Sequence, residues 1–228
     1  MSNSVHVYDA RADHATVTAE SPLAYSFQRS GMPASGEASG EASGEKSRAV
    51  IGERAFLGHL ILRGGAIVLD EALREVLGVG LPGRPNSLTV DADGQRSVQW
   101  LSPDEWLLIV PGDETFGLET RLRAHLGGAH VAIVDVSAGQ TLIELSGEAA
   151  HEVLMKSTVY DVDPHAFTVG KGVTTLFAKT NVILRRPDAS RWELIVRRSF
   201  ADYVYRWLLD AGEEYGIGVA RESRHEPQ

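Results

Sequence analysis

The sequence predicts an α+β fold built from mostly antiparallel sheets that carry helices on one face. Strand-like segments, either alternating in polarity or continuously apolar, follow one another along the chain, and helical segments with one apolar face interrupt them. Such an order is typical of antiparallel sheets that bury one face beneath helices. A chain of 228 residues can bury a substantial core in one large domain or two small ones.

In the first half of the chain, strands and two helices are predicted. Strand signals fall at residues 56–64, 87–90, 96–101 and 105–110. Helices are predicted at residues 69–77 and 116–126, because leucines recur there at the spacing of one helical face. The glycines of GVGLPG follow the first helix and lead into an extended segment, so this match to a dinucleotide-binding fingerprint is interpreted as a helix-ending loop.

The second half continues the alternation. The segments HVAIVDVS and QTLIELS are predicted to form a hairpin across Ala138-Gly139. Ser146 is a predicted N-cap for the helix in GEAAHEVLMK, and Ser199 for a helix from Phe200 to Tyr215 that Gly216 ends. Three further strands are predicted at residues 171–178, 181–186 and 192–197.

Four segments are expected along the chain. Residues 1–29 form an N-terminal segment with a short apolar anchor, SPLAYSF. Residues 30–48 contain the repeat GEASGEASGE, which offers almost nothing to bury and is therefore predicted to be a flexible insert. Residues 49–218 are predicted to hold the folded domain, and residues 219–228 a disordered tail.

Composition excludes several classes of function. The net charge of −9 argues against nucleic-acid binding, which requires a basic surface. Because the chain has no cysteine, disulfides, thiolate zinc sites, cysteine-ligated clusters and cysteine nucleophiles are ruled out. Neither a signal peptide nor an apolar run of about 20 residues is present, so a cytoplasmic protein that does not span a membrane is expected.

Two further patterns resemble catalytic or metal sites but lack the necessary context. In YDVDPHAF, two aspartates and a histidine alternate, yet no fourth ligand follows at an informative spacing. Asp135 and Ser137 could join one of eight histidines in a triad, but no nucleophile elbow is present. His59 lies in a predicted strand, where a structural role is favoured. The residues by themselves therefore indicate no active site.

The segment VQWLSPDEWLLIV is predicted to be two strands joined at Pro103-Asp104-Glu105, with Trp100 and Trp106 near either end. Each indole can bury roughly 200 Å² of mostly apolar surface. A place in the core or in a subunit interface is favoured for both, and a ligand pocket is the alternative.

Four segments together form a recognisable set, namely residues 100–107 (WLSPDEWL), 134–137 (VDVS), 146–156 (SGEAAHEVLMK) and 196–201 (VRRSFA). This set resembles the gamma subunit of heterotetrameric sarcosine oxidase, and the similarity covers most of residues 20 to 218. Each segment is a weak signal alone, but their combination is specific. The repeat insert is an addition that the family pattern does not require.

The central block is more distantly similar to the folate-binding domain of aminomethyltransferases, which implies a fold like that domain. In those enzymes a strand with the pattern Gly-x-x-x-x-Thr, which matches Gly170 to Thr175 here, is followed by a second strand. That second strand begins with adjacent aspartates, one of which is catalytic. This chain has Thr180 and Asn181 there, and neither can act as a general base near neutral pH. The similarity makes a free-standing folate-dependent aminomethyltransferase-like protein the second hypothesis. It ranks below the subunit hypothesis because the carboxylates are missing. A third, the folate-binding protein of iron–sulfur maintenance, is disfavoured because its motif requires a cysteine.

The resemblance implies a structural subunit with no catalytic, cofactor-binding or metal residue of its own. The complex would demethylate sarcosine oxidatively to glycine, forming hydrogen peroxide and 5,10-methylenetetrahydrofolate or formaldehyde. The implied partners are alpha, beta and delta subunits, which in the family hold FAD, FMN, NAD, tetrahydrofolate and zinc.

Tryptophan and arginine are the commonest interface anchors, and the C-terminal third concentrates arginines that suit an acidic partner. Interface candidates are Trp100, Trp106, Arg197 and Arg198, whereas Trp207 is expected in the core.

Overall fold

The computed structural model describes residues 19–30 and 47–220. Most of the predicted insert at 30–48, and residues 221–228 of the predicted tail, lie outside the described residues. Within the described ranges, the α-helices are α1 (Ala24–Ser30), α2 (Ala66–Leu77), α3 (Thr115–Leu126), α4 (Ala150–Met155) and α5 (Ala201–Gly212). None of the described helices has the length and apolar character needed to cross a membrane.

The described strands form two sheets. The first seven strands are β1 (Ala49–Arg54), β2 (Gly58–Gly64), β3 (Leu88–Val90), β4 (Ser97–Ser102), β5 (Glu105–Val110), β6 (Val131–Asp135) and β7 (Gln140–Ser146). The last four are β8 (Lys171–Phe177), β9 (Thr180–Arg186), β10 (Arg191–Arg197) and β11 (Ile217–Ala220). Sheet A has the order β11-β1-β7-β10-β9-β8 and sheet B the order β3-β4-β5-β2-β6. Only the β1–β11 pair among these strands is parallel, which confirms the predicted antiparallel character.

The two sheets pack face to face with helices on both outer sides. Helices α4 and α5, with the segment around α1, cover the outer face of sheet A and enclose the largest apolar cluster. Helices α2 and α3 cover the outer face of sheet B over a second cluster. A small third cluster lies between the sheets, with Leu107 and Ile109 of sheet B against Leu142 and Ile195 of sheet A. Each sheet therefore carries helices on one face, as predicted.

Alternation along the strands assigns each side chain to one of these layers. In β10, Trp192 and Leu194 point into the helix-covered core, whereas Glu193 and Ile195 point toward sheet B. The inner face of sheet A is thus partly charged, although most of it is buried beneath sheet B. The buried ionisable groups between the sheets, Arg185, Glu193 and His59, are the candidates for a functional site.

The predicted hairpin across Ala138-Gly139 is wrong, because β6 belongs to sheet B and β7 to sheet A. A short 3-10 turn, Ser137–Gly139, carries the chain from one sheet to the other. Its start is fixed by Asp135, whose carboxylate accepts from the Ser137 backbone N–H at 2.9 Å and from the Ser137 hydroxyl. The Ser137 hydroxyl oxygen in turn accepts from the His59 backbone N–H at 2.9 Å. The Val-Asp-x-Ser segment is therefore the crossover between sheets.

Neither predicted serine cap is formed. Ser146 ends β7, and α4 begins with Ala149 at its N-cap, while Phe200 occupies the N-cap of α5. Both helices are stabilised by burial of their apolar faces, so they form without a side-chain hydrogen bond at the N-cap. At the C-terminal end, β11 extends two residues past the predicted domain boundary at 218, because Val219 is buried beside β1.

Candidate functional site

Trp100 and Trp106 are direct cross-strand partners in the β4–β5 hairpin, and Pro103-Asp104 form its turn. The Asp104 carboxylate is held by the Ser102 hydroxyl at 3.0 Å and by the Arg63 guanidinium at 3.2 Å. Trp106 is only 3% exposed and belongs to the core beneath α2 and α3, with Trp100 packed partly buried against it. Trp106 therefore takes the core position, one of the places expected for it, and has almost no surface exposed in the free chain.

Arg185 and Glu193 form a buried ion pair on the inner face of sheet A. They are opposite each other on β9 and β10, and the Arg185 Nε donates to a Glu193 oxygen at 2.9 Å. A second nitrogen, Nη1, donates to the Ser97 hydroxyl of sheet B at 3.0 Å. Both charged side chains are almost completely buried. Buried charges require such pairing, so this cluster joins the two sheets through satisfied polar contacts.

The ion pair continues outward into a cleft of about 430 Å³. Arg54 approaches Glu193 at 3.7 Å, and Arg191 donates to Glu144 at 3.1 Å. Burial raises the pKa of the Glu144 carboxyl, while the positive charges of Arg191 and Arg54 act in the opposite direction. With Asp188 bound to Arg191 at 3.1 Å, each guanidinium of the cluster has a carboxylate partner. No charge in this cluster is left over for an ionic ligand, so the cluster stabilises the fold.

His59 lies at the same inter-sheet layer and is 1% exposed. Its Nδ1 lies 3.1 Å from the Leu57 carbonyl oxygen, which it can reach only as an N–H donor. Burial, together with the positive charge of Arg185, lowers the pKa of His59 from 6.5 to about 4. The neutral imidazole has no described contact with the Ser137 hydroxyl, which instead contacts the His59 backbone. These residues therefore do not form a nucleophile–base pair.

The other two candidate motifs are local turns. In YDVDPHAF, Asp161 accepts from the Asp163 N–H at 3.0 Å, and Asp163 accepts from the His165 N–H at 2.8 Å. Across residues 19–30 and 47–220, no three potential ligands converge on a metal position. Gly78, at φ 73°, ends α2 in the left-handed conformation that glycine favours, which confirms the interpretation of GVGLPG as a helix-ending loop.

Thr180 and Asn181, which the sequence resemblance matches to the aminomethyltransferase aspartates, begin β9. Thr180 is buried toward the helix layer, whereas Asn181 is exposed on the inner face of sheet A. Asn181 pairs with Leu176 of β8 and lies two residues before Ile183, where the printed β9–β10 pairing ends at Ile195. Arg197 lies two residues after Ile195, at the same end of sheet A, and pairs with Gln140 of β7. The exposed end of sheet A is thus polar and cationic, with no carboxylate where a general base would be needed.

The predicted interface residues do not share one surface. Arg197 and Arg198 are exposed at the end of β10, whereas Trp100 lies on the helix-covered side of sheet B. Sequence reasoning missed Lys179 and Leu176, which the β8–β9 hairpin brings to the same end of sheet A as Arg197. A hairpin turn at Ala178-Lys179 could have been read from the adjacent strand signals, but the pairing with β10 is long-range.

Comparisons with known proteins identify the relatives. The family model described as "Sarcosine oxidase, gamma subunit family" matches residues 63–214. Sarcosine oxidase subunit gamma of Arthrobacter sp is 40% identical over 144 residues, which is 63% of this chain and 70% of that protein. The subunit gamma of Corynebacterium sp. (strain P-1) is 39% identical over the same shares. An aminomethyltransferase of Geobacillus thermodenitrificans (strain NG80-2) is 28% identical over 185 residues, covering 75% of this chain and 49% of that protein.

Solved structures give the same relationships. A chain of the heterotetrameric sarcosine oxidase from Corynebacterium sp. U-96 superposes with a TM-score of 0.72 at 30% identity, covering 86% of this chain and 96% of that chain. The glycine cleavage system aminomethyltransferase T from Bartonella henselae superposes with a TM-score of 0.61 at 12% identity. It covers 87% of this chain and 58% of the other, so it shows a shared fold alone.

Proposed function

The chain belongs to the sarcosine oxidase gamma subunit family, and from this premise we propose that it is a structural subunit of a heterotetrameric sarcosine oxidase. The complex would convert sarcosine to glycine and form hydrogen peroxide with 5,10-methylenetetrahydrofolate or formaldehyde. The observation that carries the proposal is the match, at 30% identity, to 96% of a chain in a complex of that name. Similarity over nearly the whole of that chain supports the same role within an assembly.

The geometry supports a subunit without an active site of its own. The buried Arg185 and Glu193 are paired with each other, and the buried Glu53 accepts hydrogen bonds from the Ser21 and Thr141 hydroxyls. The Ser137 hydroxyl is bound to Asp135 and the His59 backbone, and position 181 holds the non-ionisable Asn181. The FAD, FMN, NAD, tetrahydrofolate and zinc of the complex are accordingly proposed to reside in the alpha, beta and delta subunits. Trp100, Arg197 and Arg198 are the proposed contacts with those partners, and the cytoplasmic location stays a prediction.

Co-expression tests this function. The chain carrying an affinity tag is produced with the alpha, beta and delta subunits encoded in the same genome, and we expect all four to co-purify with flavin absorbance and to form peroxide from sarcosine. The isolated chain should show neither property. Peroxide formation by the isolated chain, or an equally active complex assembled without it, would contradict the proposal.

The second candidate function is folate-dependent one-carbon transfer by the chain alone, which the shared aminomethyltransferase fold favours. We expect that Asn181→Asp does not create it, because catalysis needs a positioned partner and a bound substrate as well as a carboxylate. The measurement is formation of 5,10-methylenetetrahydrofolate by the isolated variant, with the unsubstituted chain as control. Transfer that appears only in the variant would establish that a complete folate site is present.

A further inference from the structure

One end of sheet A extends beyond the cover of sheet B. At this end, Gln140 pairs with Arg197 across β7 and β10, and Leu176 pairs with Asn181 across β8 and β9. Both pairs lie two residues beyond Ile195 and Ile183, where the β9–β10 pairing ends, and these four side chains are called the end row. The preceding rows are largely buried between the sheets, but in this row Arg197, Asn181 and Leu176 are exposed and Gln140 is half-buried. At this end, the inner face of sheet A is therefore not covered by sheet B or by any other described residues.

Three cations at this end of sheet A have no carboxylate partner among the described residues. Arg197 is in the end row, Arg198 follows it in the chain, and Lys179 occupies the β8–β9 turn at the same end of sheet A. No carboxylate of residues 19–30 or 47–220 lies within ion-pair distance of any of the three. Arg198 donates only to the Glu20 backbone carbonyl, at 3.3 Å. In a chain of net charge −9, this is an unbalanced positive patch.

The patch has the character of a protein-binding surface. The cleft behind α2 and the cleft beside Arg191 do not include a residue of the patch. An open surface cannot enclose a small anion as a ligand cleft does. Large apolar side chains are exposed near the cations in sequence and register, since Leu176, three residues before Lys179, is 45% exposed and Phe200, two residues after Arg198, is 42% exposed. Arginine together with exposed apolar side chains is typical of interfaces between proteins.

We infer that this patch, formed by Lys179, Arg197 and Arg198 around Asn181 and Leu176, docks a carboxylate-rich segment of a partner subunit. The inference rests on the proposed function and names the surface and the chemistry of the partner. Charge complementarity selects the occupant, because a partner segment with aspartates and glutamates supplies the ion pairs that residues 19–30 and 47–220 do not. Leu176 and Phe200 would contact its apolar side chains.

A charge-reversal experiment in the complete four-subunit complex tests the inference. The double variant Arg197→Glu/Arg198→Glu is compared with Arg84→Glu/Arg121→Glu, which reverses two exposed arginines that also lack an ion-pair partner among the described residues. Both variants change the net charge equally. Association of the tagged chain with the other subunits is measured between low and high salt, and the melting temperature of each free chain controls for folding. We expect roughly tenfold weaker association for the patch variant alone and a smaller salt dependence.

Cross-linking gives a second readout that does not depend on affinity. A photoreactive residue at position 181 should cross-link, in the assembled complex, to a partner peptide rich in aspartate and glutamate. Equal retention of the two double variants together with cross-links to an uncharged or basic peptide would overturn the inference while leaving the subunit role intact.

Two other outcomes also count against the docking surface. If the free chain binds inorganic phosphate, the patch variant loses that binding and assembly is normal, the cations hold a small anion and no partner segment. If the unsubstituted chain fails to join the flavin-containing subunits at all, the proposed function fails, and the inference that rests on it fails with it.

Discussion

At the scale of single residues, His59 connects burial to pH dependence. Its ring is enclosed between the sheets, and its Nε2 has no hydrogen-bond partner among the described residues. Since the pKa in the folded chain is about 4 against 6.5 for an unburied histidine, the unfolded state binds more protons between these values. The free energy of unfolding should therefore be highest above pH 6.5 and fall as the pH drops toward 4, by up to about 3 kcal/mol.

Substitution isolates the contribution of His59. Asparagine can keep a donor near the Leu57 carbonyl but does not titrate, so His59→Asn should flatten the pH dependence of urea unfolding between pH 6.5 and 4. The exposed His125 provides the matched control, and His125→Asn should retain the wild-type slope. An unchanged slope in His59→Asn would mean that the acid sensitivity has another origin.

At the scale of elements, the approach of β8 to β4 depends on the absence of a side chain at Gly172. The buried Gln99 amide nitrogen donates to the Gly172 carbonyl at 3.0 Å, and an added Cβ would lie 2.7 Å from Gln99 Cδ. Gln99 is fully buried and cannot move aside freely. We expect Gly172→Ala to lower the free energy of unfolding by about 1–3 kcal/mol through overpacking.

Gly117 in α3 is the matched control, because no atom lies within 4 Å of a Cβ added there. Gly117→Ala should stabilise the chain by about 0.5–1 kcal/mol, since alanine loses less backbone freedom in a helix than glycine does. Equal effects of the two substitutions in urea denaturation would show that the inter-sheet contact is looser than described.

At the scale of the whole molecule, the Arg185–Glu193 pair and Ser97 fasten one sheet to the other. Arg185→Met leaves the Glu193 carboxylate buried with only the longer contacts to Arg54 and Arg191, at 3.7 and 3.8 Å. We expect a loss of about 3–5 kcal/mol in the free energy of unfolding, which is the usual cost of breaking a buried pair.

Removing both charges should be less harmful than removing one. The double variant Arg185→Met/Glu193→Leu leaves no unpaired carboxylate, so its unfolding free energy should exceed that of Arg185→Met. Arg206→Met, which breaks an exposed pair with Asp202, serves as the surface control and should change stability little. A double variant less stable than the single one would indicate that the pair contributes net stability beyond neutralising Glu193.

The local spacing of apolar residues was enough to predict most helices and strands. It also predicted that Pro103-Asp104 joins two strands, β4 and β5. Alternation and helical spacing depend on near neighbours, and the strands at 105–110 and 192–197 lie where the sequence predicts them. The combined motifs also predicted a resemblance to the sarcosine oxidase gamma subunit family, and the family and relative matches confirm it. The serine caps were wrong, because a capping residue identifies a helix start only when tertiary burial does not fix that start elsewhere.

By itself, the sequence determined the α+β class, the direction of each apolar face and the lack of an ionisable pair at Thr180-Asn181. Only the tertiary structure decided which sheet each strand joins, that Trp106 is interior, and that Lys179, Arg197 and Arg198 are exposed at one end of sheet A. The two-residue alternation along a strand determines which side chains share a face. It does not determine which sheet or helix packs against that face. That choice is made by contacts between residues far apart in the chain, such as Ser97 with Arg185 and His59 with Ser137.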